Sequence, residues 1–180
     1  YVGNTIPHFS NPNVDFDGQP TGIASGTSSA DNARTINNLR SIIARRWVRS
    51  DGEAALIWLA EESPEGHAKD LAVRASFALW GQLDREAVLA WMETQTSTGE
   101  PAAWLRPVYP VYARLLGEDA PADAIEWAER IEGEEEREIV LAEIVQAWRQ
   151  IDEDAAEAWL LQASRSERAG ETAGTPDSQR

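Results

Sequence analysis

The side chains able to do chemistry in this sequence are few and widely separated. It holds two histidines, His8 and His67, one methionine, Met92, and no cysteine. Disulfides and thiolate metal sites are therefore excluded. His67 falls in the first turn of a predicted helix and reads as a solvated side chain. His8 has no acid, base or nucleophile that the sequence can assign to it, so it reads as an imidazole without a catalytic role. The stretch Asn13-Val-Asp15-Phe-Asp17-Gly18 alternates oxygen-bearing side chains before a glycine, as a calcium loop begins. Such a loop needs Glu at its twelfth position, which here is Ala24, so a turn at Asp17-Gly18 is the better reading. The acidic run Glu132 to Glu138 reads as a solvated helix start, where carboxylates favour the positive end of the helix dipole. One group suits binding: Trp104, Arg106, Tyr109 and Tyr112, spread around Pro107 and Pro110. Interior prolines should kink or interrupt that helix, and the aromatic-plus-arginine composition suits a peptide site facing a groove, as an exception to core packing of the repeat aromatics. No catalytic residue and no metal ligand is assigned.

The elements that would position these residues follow from a repeat. Trp58, Trp91, Trp127 and Trp159 recur at intervals of 32 to 36 residues, and Trp47, Trp80 and Trp148 precede three of them by eleven. The phrase Trp80-Gly-Gln-Leu-Asp84-Arg-Glu-Ala-Val-Leu-Ala-Trp91 returns around Trp148, Asp152 and Trp159, and in an earlier copy around Trp47, Asp51 and Trp58. In the third unit, Ala113 stands where the period leads one to expect tryptophan. A fixed period in this range marks stacked helix pairs, because one pair cannot bury its apolar face alone. The predicted fold is all-α: an α-solenoid of antiparallel helix pairs, period about 33–36, with an irregular N-terminal arm.

Helices are predicted near 31–49, 53–62, 65–82, 85–95, 100–116, 121–132, 134–150 and 153–164. Ser29 or Asp31 can cap the first, and Asp51, Asp84 and Asp152 cap later ones. Ser63 is expected to cap the helix near 65–82, with Pro64 at its first position. Ala55, Trp58 and Leu59 form an apolar stripe at i, i+3, i+4, matched by Val88, Trp91 and Met92, by Ala124, Trp127 and Ala128, and by Ala156, Trp159 and Leu160. That register makes the tryptophans core residues. Residues 1–30, rich in Pro, Gly, Asn, Ser and Thr, read as the irregular arm, 31–164 as the array, and 165–180 as a disordered tail.

The net charge of −15 over 180 residues argues against nucleic acid and anionic membranes, which need clustered Lys and Arg. No apolar run approaches the roughly 18 residues of a membrane span. The chain begins at Tyr1 rather than Met, which reads as a fragment or processed product.

Three ordered motifs, Phe9-Ser-Asn-Pro-Asn-Val14, Gly18-Gln-Pro-Thr-Gly22 and Asp31-Asn-Ala-Arg34, resemble the C-terminal end of bacterial reprolysin-like zinc metalloendopeptidases of the metzincin type. The resemblance covers residues 1–46, and the helical units that follow are similar to tetratricopeptide repeats. It implies that Ile6, Pro7, His8, Phe9, Ser10, Asn11, Pro12, Asn13 and Val14 belong to a substrate-pocket wall below a zinc ion. It also implies that Asp31 to about Arg46 is a closing helix, and that the protein is secreted or periplasmic. The family's zinc motif H-E-x-x-H-x-x-G-x-x-H is missing, and Met92 lies in a repeat helix, where it cannot form a Met-turn. The chain is therefore expected to hold no cofactor, zinc belonging to a parent protein, and to be inactive alone. The expected function is that of the non-catalytic C-terminal part of a zinc metallopeptidase-like protein, whose repeats bind a protein or peptide. The alternative is a free-standing helical-repeat scaffold with a vestigial arm.

Overall fold

The computed structural model describes residues 28–97 and 99–173, with side-chain surroundings through Arg165. The proposed pocket-wall residues, Ile6 to Val14, and the Asn13–Gly18 stretch lie outside the described residues. Among those described, the structure is helical and contains no strand. The α-helices are α1 (Ser29–Trp47), α2 (Gly52–Glu62), α3 (His67–Leu83), α4 (Arg85–Thr96), α5 (Tyr109–Leu116), α6 (Pro121–Glu129), α7 (Glu134–Ile151) and α8 (Glu153–Ala173). A 3-10 turn, Ala103–Val108, precedes α5. No described helix is long and apolar enough to cross a membrane.

Two compact units are distinguishable, Tyr1–Ile36 and Asn37–Arg180. The described part of the first is the opening of α1. Ser28, rather than Ser29 or Asp31, caps it: its Oγ accepts the Asp31 N–H at 3.2 Å and donates to the Asp31 carboxylate at 2.8 Å. The two side chains thus satisfy each other and an orphan donor of the first turn.

In the second unit the repeated phrase resolves into one recurring corner. The N–H groups of Asp51, Asp84 and Asp152 donate back to the carbonyls of Trp47, Trp80 and Trp148 at 3.0, 2.8 and 2.8 Å, closing one helix. The same aspartates open the next helix, since their Oδ1 atoms accept the N–H of Ala54, Ala87 and Ala155 at 2.9, 3.0 and 3.0 Å. One residue ends a helix through its backbone and starts another through its side chain, so the spacing from tryptophan to aspartate is fixed.

The third helical repeat builds the corner differently. Ala120 donates to the Leu116 carbonyl at 2.8 Å, and Pro121 supplies the first helical φ in place of a side-chain cap. Leu116, not Ala113, therefore occupies the tryptophan position, and Ala113 is a buried core residue. Pro64 also acts otherwise than predicted. It holds Ser63 extended (φ −95°, ψ 133°) and so ends α2, and α3 starts only at His67, after Gly66 at φ +129°. Pro64 has no N–H to offer the Ala60 carbonyl. The buried Lys69 supplies the donor instead, its Nζ 2.7 Å from Ala60 O and 2.6 Å from Glu65 Oε1. At the far end α8 runs past Ser164 to Ala173, where the composition had suggested disorder.

From α2 onward helices pack on their sequence neighbours, and α5 also meets both α3 and α7. Ion pairs run in the same direction, with Arg114 of α5 at 2.6 Å from Glu143 of α7, and Arg74 of α3 paired with Glu136 of α7. The predicted stripes are the core. Ala55, Leu59, Val88, Met92, Ala124, Ala128 and Ala156 are inaccessible to solvent, Trp91 is buried, and Trp58, Trp127 and Trp159 are half-buried against it. Trp47 meets Trp58 at 6.1 Å between ring centroids, and Trp80 meets Trp91 at 5.5 Å. The ring of Trp80 lies directly on the backbone of Gly52.

Candidate functional site

A concave site within the second unit forms where the two prolines disturb the fifth helical segment. Pro107 has no N–H for the Ala103 carbonyl, and Pro110 none for that of Arg106. The segment tightens into the 3-10 turn, with the Tyr109 N–H closing onto Arg106 O, and α5 resumes at Tyr109 with Pro110 near its start, where proline is tolerated. The interruption predicted from Pro107 and Pro110 is therefore present. The turn, the outer face of α3 and the corner from α6 to α7 enclose a cleft of about 310 Å³, lined by Arg74, Arg106, Arg130, Asp70, Glu132 and Glu136 over a wall of Pro107, Pro110 and Ile131.

Electrostatics divide these six charges unequally. Arg106 Nη1 donates to Glu132 Oε1 at 2.8 Å between two exposed side chains. Arg74 pairs with Glu136, both about one-third exposed. Arg130 has no carboxylate partner among the described residues. Its guanidinium lies over the Trp127 ring instead, 4.4 Å from the centroid. A cation so placed is attracted by the ring quadrupole, and its N–H groups stay free to take an external acceptor. Arg137 Nη1 donates to the Ile131 carbonyl at 3.0 Å and closes the end of α6 below.

Trp127 is held from beneath. Tyr109 and Tyr112 meet it edge-on at 5.1 and 5.0 Å, and Tyr112 also meets Phe77 at 6.4 Å. Both tyrosines are only 3% exposed. Burial pushes both phenols above their usual pKa, helped by Glu100 for Tyr109 and by Glu93 for Tyr112. The four residues expected to share a peptide groove are thus separated. Arg106 lines the cleft, Tyr109 and Tyr112 are core supports, and the half-buried Trp104 turns to Trp91 at 6.4 Å. The tyrosines are redirected because the 3-10 turn changes the register of α5, aiming them at Trp127 and Phe77.

Asp70, Arg74, Arg130, Glu132 and Glu136 were not singled out as a site from the sequence. Glu132 and Glu136 belong to the acidic run read as solvated; they are solvent-accessible, and each also engages an arginine. Their common signal is faint, being arginines in a strongly acidic chain. The cleft offers guanidiniums and carboxylates beside a proline wall. His67 is exposed in the first turn of α3, as predicted. No protein-family model matches the chain, and comparison with curated proteins and with solved structures likewise yields no match.

Proposed function

We propose that this chain is a helical-repeat module for protein interaction, and that its cleft takes an extended, carboxylate-bearing peptide segment. The observation that carries this reading is Arg130: a guanidinium stacked on Trp127, on the cleft wall, without a carboxylate of its own. Arg106 and Glu132, exposed and paired, can exchange partners with an arriving peptide at little cost, since exposed ion pairs contribute only about 0–1 kcal/mol. A solenoid of antiparallel pairs is the architecture that suits this role. It is supported by Trp80, late in α3, lying on Gly52 at the start of α2, and by Lys69, early in α3, reaching Ala60 near the end of α2. The resemblance of residues 1–46 to metalloendopeptidases favours a module attached to such a protein and acting outside the cytoplasm, itself without catalysis.

The test is affinity selection of a random-sequence peptide library on the full chain, followed by fluorescence anisotropy of the enriched peptides. Asp- or Glu-bearing peptides should be enriched, and Arg130→Ala should weaken them by about tenfold, the equivalent of 1.4 kcal/mol. Selected peptides that bind Arg130→Ala and Arg106→Ala as well as the parent, or no enrichment over background, would sink the proposal.

A further inference from the structure

A second surface lies on the part of α1 that belongs to the second unit. Leu39, Ile42 and Ile43 are 52, 63 and 51% exposed there, although their spacing is that of a helix burying one face. The inward side of this stretch is carried instead by Ala44 and Val48, both buried, and by Trp47. The apolar stripe of α1 thus points away from the core it helps to close. Beside it stand Arg45, Arg46 and Arg49, which share an open depression with Ile42. Between Asn37 and Ser50 there are four arginines and no carboxylate, in a chain whose net charge is −15. Arg45, Arg46 and Arg49 form no ion pair among the described residues.

From this we propose that the outer face of α1 is a docking surface for an acidic amphipathic helix of another protein, one with an apolar stripe flanked by carboxylates. Leu39 and Ile43 form one row at i, i+4, and Ile42 and Arg46 form the next, the ridges that a second helix packs against. Guanidiniums at the edge of the stripe match carboxylates in a planar, paired geometry. A second copy of α1 is disfavoured, because self-complementary packing would set arginines against arginines with no carboxylate to separate them. An anionic bilayer is disfavoured for another reason. A lipid surface is broad and meets the acidic remainder of the chain as well, whereas a helix about 10 Å wide meets α1 alone.

The experiment uses the full chain and four probes. Two are synthetic helical peptides with the same leucine stripe, flanked by Glu in one and by Lys in the other. The third is phosphatidylserine vesicles, and the fourth is sedimentation of the chain by itself. The Glu-flanked peptide should bind. Its affinity should fall with salt, and by about tenfold in each of Ile43→Ser, Arg46→Ala and Arg49→Ala. Arg130→Ala should leave it unchanged, which separates this surface from the cleft. The proposal is overturned by absence of binding to the Glu-flanked peptide, by equal binding of the Lys-flanked one, or by indifference to all three substitutions. Vesicle binding lost in Arg46→Ala and Arg49→Ala, or a dimer abolished by Ile43→Ser, would assign the face to lipid or to self-association instead.

Discussion

Gly52→Ala is the sharpest probe of how α2 and α3 meet. A Cβ at this position would stand 2.3 Å from Cδ2, 2.5 Å from Cε2 and 2.6 Å from Cγ of Trp80. Carbon atoms in contact prefer about 3.5–4.0 Å, so the indole would have to retreat by roughly 1.2 Å or more. Trp80 has no free direction, being 9% exposed and packed on Trp91 at 5.5 Å. Overpacking of this kind costs about 1–3 kcal/mol, against a gain of about 0.4–1 kcal/mol from replacing glycine in a helix. The expected net loss is about 1–2 kcal/mol, a fall in Tm of roughly 2–8 °C for a chain of this size. Urea and thermal melts followed by circular dichroism would measure it. The decisive arm is the Trp80→Ala background, which leaves room for the methyl. There Gly52→Ala should be neutral or stabilising by up to about 1 kcal/mol. An equal penalty in both backgrounds would refute the reasoning.

Trp91→Ala should cost about 3–5 kcal/mol through lost burial and a residual cavity, and Trp159→Ala, in the half-buried terminal helix, clearly less; equal small losses in urea melts would contradict the packing. Lys69→Met should cost about 1–3 kcal/mol by leaving the Ala60 carbonyl without its donor, and the loss should shrink in a Pro64→Ala background that restores a backbone N–H, which a double-mutant cycle reads directly. Tyr109 and Tyr112 ionise above 10.0 in the folded chain, so their contribution is complete below that pH. It is lost as pH rises above 10.0, because the unfolded chain then releases protons that the folded one keeps. The double variant Tyr109→Phe/Tyr112→Phe should flatten this alkaline loss in melts taken across that range. Titration of the full chain with zinc, followed by calorimetry, should show no stoichiometric uptake; tight one-to-one binding would reopen the protease reading for residues 1–46.

The regular corners are legible in the sequence because a side chain makes them. Aspartate at a fixed distance from tryptophan is a chemical requirement, since its carboxylate must reach the first turn of the next helix. The corner at Leu116 and Ala120 escapes the 33-residue period because backbone and Pro121 make it with no capping aspartate, although Trp127 keeps the eleven-residue interval from Leu116. By position Pro64 suits a helix opener, yet its strongest effect falls on Ser63 before it, and the compensating lysine lies five residues further on. The cleft is hidden for a different reason. Arg74, Arg106, Arg130 and Glu136 look like ordinary solvated positions on four separate segments, and only packing of α3, the 3-10 turn and the corner from α6 to α7 gathers them. Tyr109 and Tyr112 show the opposite error: their composition suggests an open groove, but a change of helical register sends them inward.

The close indole pairs give the chain an optical anatomy. Rings at 6.1 Å in Trp47–Trp58 and 5.5 Å in Trp80–Trp91 are near enough for their transitions to couple, and Trp91 hands excitation on to Trp104 at 6.4 Å. Each of these two corners therefore carries its own chromophore pair, and exciton signals in near-ultraviolet circular dichroism should disappear one pair at a time if the helices fray from an end, but together if they melt as a block. Emission should be biased toward whichever indole of a coupled set lies lowest in energy, so a single substitution would dim or shift light originating elsewhere. The phrase that builds the first two tryptophan corners thus also supplies local gauges, readable without any added label.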